Sequence, residues 1–428
     1  MAKYAFLFPG QGSQYSGMGK AMVDQYAAAR RTFDEANDVL GFDLKELIFN
    51  GSSEQLTRTE NTQPAILTVS VAAFRVFTEM FDIRPDYCAG HSLGEFSALT
   101  CAGAISFADA LRIVRQRGKF MGEASGGAMA AVAGIDQDVI EQECRNCSRD
   151  GQSVVISNLN APDQIVVSGH TEAIGRMRES LSARGGIVIP LRVSAPFHSP
   201  LMEPAAIRLK EELIKYSYTP MQYGVLSNVT AKPYERESSE EMIELLTEQM
   251  TSVVRWTESM RLLQEQGVTH AIELGPGMVL RNLMKKNAPG IITYSYDNEE
   301  DAAALQAVLQ GAARKEEQPD NGLLLMTRCL AIAVCTRNGN EDQAAYTQGV
   351  VEPYRRVVKL VEECEESGRK PDKEQVRAAV DMLHSVFETK RTPQAEREER
   401  YCQLQEETGI LELFLNDERR VPRTAVHQ

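Results

Sequence analysis

The chain opens with an apolar run, YAFLFP at 4–9, that reads as a buried strand, followed by the glycine-rich turn GQGSQYSGMG. A helical pattern then sets Val23, Tyr26, Phe33 and Leu40 on one face, so the first forty residues predict a strand–turn–helix unit. A second such unit lies in DYCAGHSLGEFSALTCAGAI, where a short strand of small residues turns at Ser92 into a helix bearing Leu93, Phe96 and Leu99. Between 127 and 194 the rhythm changes. AMAAVAG, a helical stretch Gln137 to Cys147, VVISNLNA, QIVVSGH, a helix Glu172 to Arg184 and IVIPLRVS give strand, helix, strand, strand, helix, strand. That is the split βαβ order of a ferredoxin-like unit, inserted in a larger α/β domain.

Alternation resumes with a helix at 203–216, YGVLSNVT, a helix at 239–265, HAIELGP and ITYSYD. GAARKEEQPDNG at 311–322 carries the charge, Pro and Gly of a linker. Beyond it Val351, Tyr354, Val358 and Val361, then Val376, Val380, Leu383 and Phe387, then Leu404, Leu411 and Phe414 recur at helical spacing among many charges. The expected organisation is a large α/β subdomain over 1–126 and 199–310, an inserted small subdomain over 127–198, a linker at 311–322 and an all-helical extension of three or four helices over 323–428. No internal repeat is visible.

The bulk numbers narrow the class. With 43% hydrophobic residues in 428, the chain is long enough for two or three domains. A net charge of −14, with Lys and Arg scattered among acids, argues against a nucleic-acid surface. The five-residue apolar run near the start is too short for a signal peptide, so no targeting segment is expected. The apolar stretch LLLMTRCLAIAVC at 323–335 is broken by Arg328 and falls short of the roughly 20 residues a bilayer needs, so no membrane span is expected. Eight cysteines without scaffold spacing suit free thiols in a reducing cytoplasm. Cys144 and Cys147 form a CxxC, but no second pair follows at zinc spacing, so structural thiols are expected and no metal.

Gly90-x-Ser92-x-Gly94 has the form of a nucleophile elbow, in which a strand-to-helix turn pushes a hydroxyl out beside free helix N–H groups. The same pattern also suits a tight strand–helix junction with no chemistry. A serine nucleophile needs a base. Of the six histidines, His91 adjoins Ser92 and would point elsewhere, His170 and His270 lie at strand ends, and His384 and His427 lie in the tail. His198, in the Pro-bounded loop SAPFHSPLM leaving the insert, is placed to lean over a cleft. The turn GQGSQ does not read as a nucleotide loop: Tyr15 occupies the third glycine position of GxGxxG, and the Lys of GMGKA is followed by Ala.

Taken together, FPGQGSQ at 8–14, NTQPA at 61–65, AGHSLGE at 89–95, RGKFM at 117–121, ISNLNAPDQIVVSG at 156–169, APFHS at 195–199, SNVTA at 227–231 and ELGPG at 273–277 resemble, in order, the malonyl-CoA:acyl carrier protein transacylases and their polyketide-synthase acyltransferase relatives. The resemblance covers roughly residues 1 to 310. It implies a hydrolase-like α/β large subdomain with a parallel sheet and a ferredoxin-like insert. It also implies roles: Ser92 as nucleophile, His198 as general base, the N–H groups of Gln11 and Leu93 as oxyanion hole, Arg117 as the grip on the malonyl carboxylate, and Gln63 and Asn160 as cleft-lining residues. In the family a main-chain carbonyl near a Q-x-x-x-P-V-R-W motif orients the histidine. Here EQMTSVVRWTES supplies Gln249, with Val253 where the family usually has proline.

The expected function is therefore ping-pong malonyl transfer from malonyl-CoA to an acyl carrier protein, with malonyl-CoA as substrate and no cofactor. Two rivals share the elbow. One is an acyltransferase that loads a polyketide synthase; the other is a serine hydrolase or thioesterase, against which stands the absence of an HGGG-type loop before Ser92. The amphipathic tail adds a partner-docking or self-association role as an expectation of a different class.

Overall fold

The computed structural model describes residues 2–415 except 82, 125, 192, 194 and 317–320, with side chains omitted for 310–316. The chain divides into two compact units, Met1–Ala307 and a second that begins at Val308. Among its described residues the first unit holds nine strands: β1 (Tyr4–Phe8), β2 (Tyr87–Gly90), β3 (Gly127–Ala133), β4 (Val154–Ala161), β5 (Gln164–His170), β6 (Ile187–Pro190), β7 (Gly224–Leu226), β8 (His270–Glu273) and β9 (Ile292–Ser295).

Five of them form a parallel sheet in the order β7-β2-β1-β8-β9. β1 lies at its centre, which is why its sequence is apolar at every position: a strand covered by helices on both faces has no polar side. Phe6 packs edge-on against Phe74 and Phe77 of the helix Thr59–Met80. Ala5 and Leu7 face the opposite way, into a cluster with Trp256, Met260 and Leu283.

The remaining four strands make an antiparallel sheet in the order β4-β5-β3-β6. The helices Gln137–Cys147 and Thr171–Ala183 cover one face of it through Ile140, Ala173, Met177 and Leu181, packed on Val132, Val154 and Val167. Strand order and helix placement are those of a ferredoxin-like unit inserted in an α/β fold. Cys144 and Cys147 belong to that packed core, and burial pushes the Cys144 thiol up to about 12. A β-bridge ties the insert to the segment before the helix Trp256–Glu265: Leu159 N donates to Val254 O at 3.0 Å and Val254 N to Ser157 O at 2.9 Å.

Several boundaries differ from the sequence pattern for identifiable reasons. The first helix is two, Lys20–Gln25 and Ala27–Leu40, because Tyr26 is extended and Arg30 Nη1 turns back to the carbonyls of Val23 and Asp24. The helix expected over 239–265 is also two, Ser239–Glu248 and Trp256–Glu265, and the gap holds the bridge at Val254. The proposed linker at 311–322 is partly helical: residues 311–316 end the helix Glu299–Glu316, residues 317–320 lie outside the described residues, and a new helix starts at Asn321.

Among its described residues the second unit has helices and no strand. Asn321–Cys335, Glu352–Ser367, Lys373–Thr389 and Gln394–Thr408 enclose their own core of Leu325, Cys329, Val357, Leu383, Phe387 and Leu404. Lys390 is buried because its ammonium caps the first of these helices, donating to the Ala333 and Thr336 carbonyls at 2.8 Å each. Among the described residues no helix is long and apolar enough to cross a membrane.

Candidate active site

Strand β2 ends at Gly90 and the helix Leu93–Cys101 begins shortly after it, leaving Ser92 on the turn with φ 52° and ψ −105°. A non-glycine residue sits there only when its surroundings hold it. Two glycines make the turn close enough: a Cβ on Gly90 would lie 1.9 Å from the Gly94 carbonyl, and one on Gly94 would lie 2.0 Å from the Phe8 carbonyl. Asn228 then clamps it from outside, accepting from Ser92 N and donating to Gly90 O, both at 2.7 Å.

The serine hydroxyl donates to His198 Nε2 at 2.8 Å. The other ring nitrogen, Nδ1, donates to the Gln249 backbone carbonyl at 2.7 Å. A carbonyl can only accept, so the proton is on Nδ1 and the lone pair on Nε2 faces the hydroxyl. The ring is 3% exposed, and burial, reinforced by the Arg117 charge, pushes its pKa down to about 3, so it is a neutral base. His198 itself has φ 58°, a second strained residue in the same site.

The break between the helices Ser239–Glu248 and Trp256–Glu265 now has a purpose. In a continuous helix the Gln249 carbonyl would accept from the N–H four residues on. Ending the helix leaves that oxygen for His198. Val253, unlike a proline, keeps an N–H and does not itself end a helix, but the neighbouring Val254 is held by strand pairing to Ser157 and Leu159, and the break forms.

Arg117 rises from the helix Phe107–Gly122 into the same place, 1% exposed. Nη1 donates to Gln63 Oε1 at 3.0 Å, and Nη2 donates to Gln249 Oε1 at 2.9 Å and to Ser92 Oγ at 3.3 Å. Every one of these acceptors is neutral, and Nε is buried with no acceptor among the described residues. Burial lowers this guanidinium to about 10, so it stays charged. Five predicted residues, Ser92, His198, Gln249, Arg117 and Gln63, thus meet in one hydrogen-bonded cluster.

Gln11 and Leu93 lie on adjoining turns. β1 and β2 pair through Phe8 and Gly90, His91 N donates to Phe8 O at 3.0 Å, and a Cβ on Gly10 would lie 2.3 Å from the His91 carbonyl. Leu93 is the first helical residue, so its N–H has no partner within the helix. Asn160 braces the residue before Ser92. Its Oδ1 pairs with His91 Nε2 at 2.7 Å, and His91 in turn packs edge-on against Trp256.

Three further residues, Asn228, Glu95 and Tyr234, complete the site without having been singled out by the sequence pattern. Asn228, within SNVTA, is the elbow clamp just described. Glu95 is fully buried behind it; its Oε2 accepts from Gln249 Nε2 at 2.6 Å and from Asn228 N at 3.2 Å, and its Oε1 accepts from the Tyr234 hydroxyl. Burial pushes its pKa up to about 7 against these hydrogen bonds. A signal for Glu95 was present, since it is the only Asp, Glu, Lys or Arg between Asp86 and Asp109, in a stretch otherwise apolar or small apart from His91, Ser and Thr.

Residues 5–307 match the acyl transferase domain family. The chain belongs to that family. Among similar acyl transferases, a malonyl CoA-acyl carrier protein transacylase of Bacillus subtilis (strain 168) is 48% identical over 290 residues, 67% of this chain and 90% of the relative. Another from Bacillus subtilis is 36% identical over 396 residues, 92% of this chain and 98% of the relative, an alignment longer than the acyl transferase domain alone. A malonyl-transacylase solved in complex with a type II PKS acyl-carrier protein superposes with a TM-score of 0.69 at 39% identity, covering 72% of this chain and 100% of that one.

Proposed function

We propose that this acyl transferase moves a malonyl group from malonyl-CoA to the phosphopantetheine thiol of an acyl carrier protein, through an ester on Ser92. The observation that carries the reading is a buried guanidinium touching the nucleophile and bonded only to neutral oxygens. No anion is hydrogen-bonded to that charge, the Glu95 carboxyl being set apart from it by the Gln249 amide, and a carboxylate on the acyl group supplies one in bidentate form. An acetyl group would leave it unpaired.

In the first half-reaction His198 Nε2 takes the Ser92 proton as Oγ attacks the thioester carbonyl. The C–S bond breaks, and the imidazolium returns the proton to the departing CoA sulfur. The N–H groups of Gln11 and Leu93 are assigned to the oxyanion, each such donor being worth roughly 100- to 1000-fold in rate. In the second half a carrier-protein thiol gives its proton to His198 and its sulfur attacks the ester. Ser92 leaves as the alkoxide and recovers that proton. Gln63 and the Gln249 side chain hold Arg117 in place, and the Gln249 carbonyl holds the histidine tautomer. The reaction as written uses no cofactor; malonyl-CoA is a substrate. The same reading places the enzyme in a reducing cytoplasm, with support in eight cysteines that are all free thiols.

Intact-mass measurement after incubation with malonyl-CoA tests the mechanism: wild type gains one malonyl group and Ser92→Ala gains none. Adduct on the alanine variant would refute the ester at Ser92. A serine hydrolase would release free malonate in a single turnover where the transferase delivers carrier-bound malonyl. A second reading, in which the carrier belongs to a polyketide synthase, is favoured by the likeness to the transacylase solved with a type II PKS carrier protein. Assay against a fatty-acid and a polyketide carrier separates the two.

A further inference from the structure

Glu95 touches neither Ser92 Oγ nor His198, yet it bonds to Gln249, whose side chain meets Arg117 and the Ser92 backbone and whose carbonyl holds His198. The Gln249 amide donates through Nε2 to Glu95 Oε2 at 2.6 Å and to Ser92 O at 3.0 Å, while its Oε1 accepts from Arg117 Nη2 at 2.9 Å. An amide has two faces, and only one orientation satisfies this set: the NH2 group must face the carboxylate and the oxygen must face the guanidinium. Turned over, the NH2 would meet Arg117 donor to donor. Glu95 is itself held, Oε1 by the Tyr234 hydroxyl and Oε2 also by Asn228 N, the residue that clamps the elbow.

We propose that Glu95 is a positioning residue: as the acceptor facing Gln249, it fixes the amide orientation that aims Arg117 at the acyl carboxylate and keeps the Gln249 backbone at His198. The requirement is for an acceptor oxygen at that place. A carboxylate meets it with both oxygens. A glutamine at position 95 also meets it, with its oxygen toward Gln249 and Asn228 and its NH2 toward the Tyr234 oxygen. A methionine there fills similar volume and offers no such acceptor.

This inference rests on the malonyl-transfer reading above, so the test compares acyl groups as well as rates. Turnover of malonyl-CoA and acetyl-CoA by the full chain is measured for wild type, Glu95→Met, Glu95→Gln and Glu273→Gln, with circular dichroism confirming folding. Glu273 is the control: it is a second buried carboxylate of the same unit, and its oxygens accept from Leu280 N and Arg281 N at the start of another helix. Glu95→Met is expected to lose malonyl kcat/KM on the order of 100-fold, the scale of a misplaced reacting group, and to lower the malonyl-to-acetyl ratio. Glu95→Gln keeps the ratio at or above that of wild type, and Glu273→Gln leaves it unchanged.

A folded Glu95→Met variant with the wild-type ratio overturns the proposal, and so does a Glu95→Gln variant as impaired as the methionine. Should Glu95→Met not fold, Tyr234→Phe reads the same relay one bond further out. It is expected to lower the ratio by less, and an unchanged ratio there is equally fatal. Wild type that transfers no malonyl group would instead sink the functional reading, a result distinct from either of these.

Discussion

Arg117 lies against Ser92, its Nη2 3.3 Å from the hydroxyl oxygen that also bonds His198. The cation that would hold the far end of the acyl group therefore touches the atom that would attack its near end. On the malonyl-transfer reading, an acyl group that carries its carboxylate close to the reacting carbonyl meets both groups together, which ties recognition to reaction.

Replacing Arg117 with Ala removes the charge and its hydrogen bonds to Gln63, Gln249 and Ser92 at once. Malonyl-CoA should lose at least about 100-fold in kcat/KM, since a buried charge-assisted pair is worth roughly 3 to 5 kcal/mol, while acetyl-CoA loses far less. Steady-state assays with both thioesters check it. Arg117→Lys should not restore the preference, because a single ammonium cannot reach Gln63, Gln249 and Ser92 in the fork geometry that the guanidinium uses.

The depressed pKa of His198 gives a pH prediction with a definite sign. Held at about 3 by burial and by Arg117, the ring stays neutral well below the ordinary histidine value of about 6.5. The kcat/KM profile should therefore show no acid limb from this residue near pH 6.5. Stability moves the other way: below about pH 6.5 the unfolded histidine binds a proton that the folded one refuses, so the native state loses ground as pH falls. Between about pH 7 and pH 5 this single group should cost about 2 kcal/mol. Urea denaturation at the two pH values, compared with His198→Gln, isolates that share.

Asn228→Ala should detach the elbow's clamp without touching the proton relay. Ser92 N and Gly90 O each lose a partner, and the strained φ of Ser92 is less firmly held. A fall in kcat of on the order of 10- to 100-fold is expected from a reacting group set slightly out of place, with the malonyl preference retained because Arg117 is undisturbed. A changed preference would show that Asn228 acts through the guanidinium.

Gly94→Ala tests the turn itself. Its Cβ would sit 2.0 Å from the Phe8 carbonyl of the central strand, and backbone on both sides cannot yield cheaply. Destabilisation of about 3 kcal/mol or more is expected from such overpacking, read as a lowered thermal midpoint together with loss of activity. The same change at Gly12, where nothing lies within 4 Å of the added atom, should cost only the strain of its positive φ.

The parts of this site that could be read from the chain were those coded locally. A glycine on either side of Ser92 and a proline-bounded loop at His198 are visible within a few residues, and the larger set of segments around Arg117 carried it by resemblance. The insert was legible because strand and helix periods differ so sharply between 127 and 190. What stayed hidden depends on contacts across the fold. Asn228 reaches Ser92 over 136 positions and Tyr234 reaches Glu95 over 139, and no spacing rule connects them. The split of the helix expected over 239–265 was hidden for the same reason: the sequence there favours helix, and the strand bridge to Val254 that interrupts it comes from the insert.

That bridge has a mechanical consequence. His198 ends the segment leaving the insert, while Gln249 sits shortly before the point where β4 grips Val254. The same strand also braces the nucleophile's turn, because Asn160 of β4 pairs with His91 beside Ser92. One strand edge thereby registers the base's orienting carbonyl and the hydroxyl's support against each other, so a displacement of β4 would disturb both sides of the proton path at once.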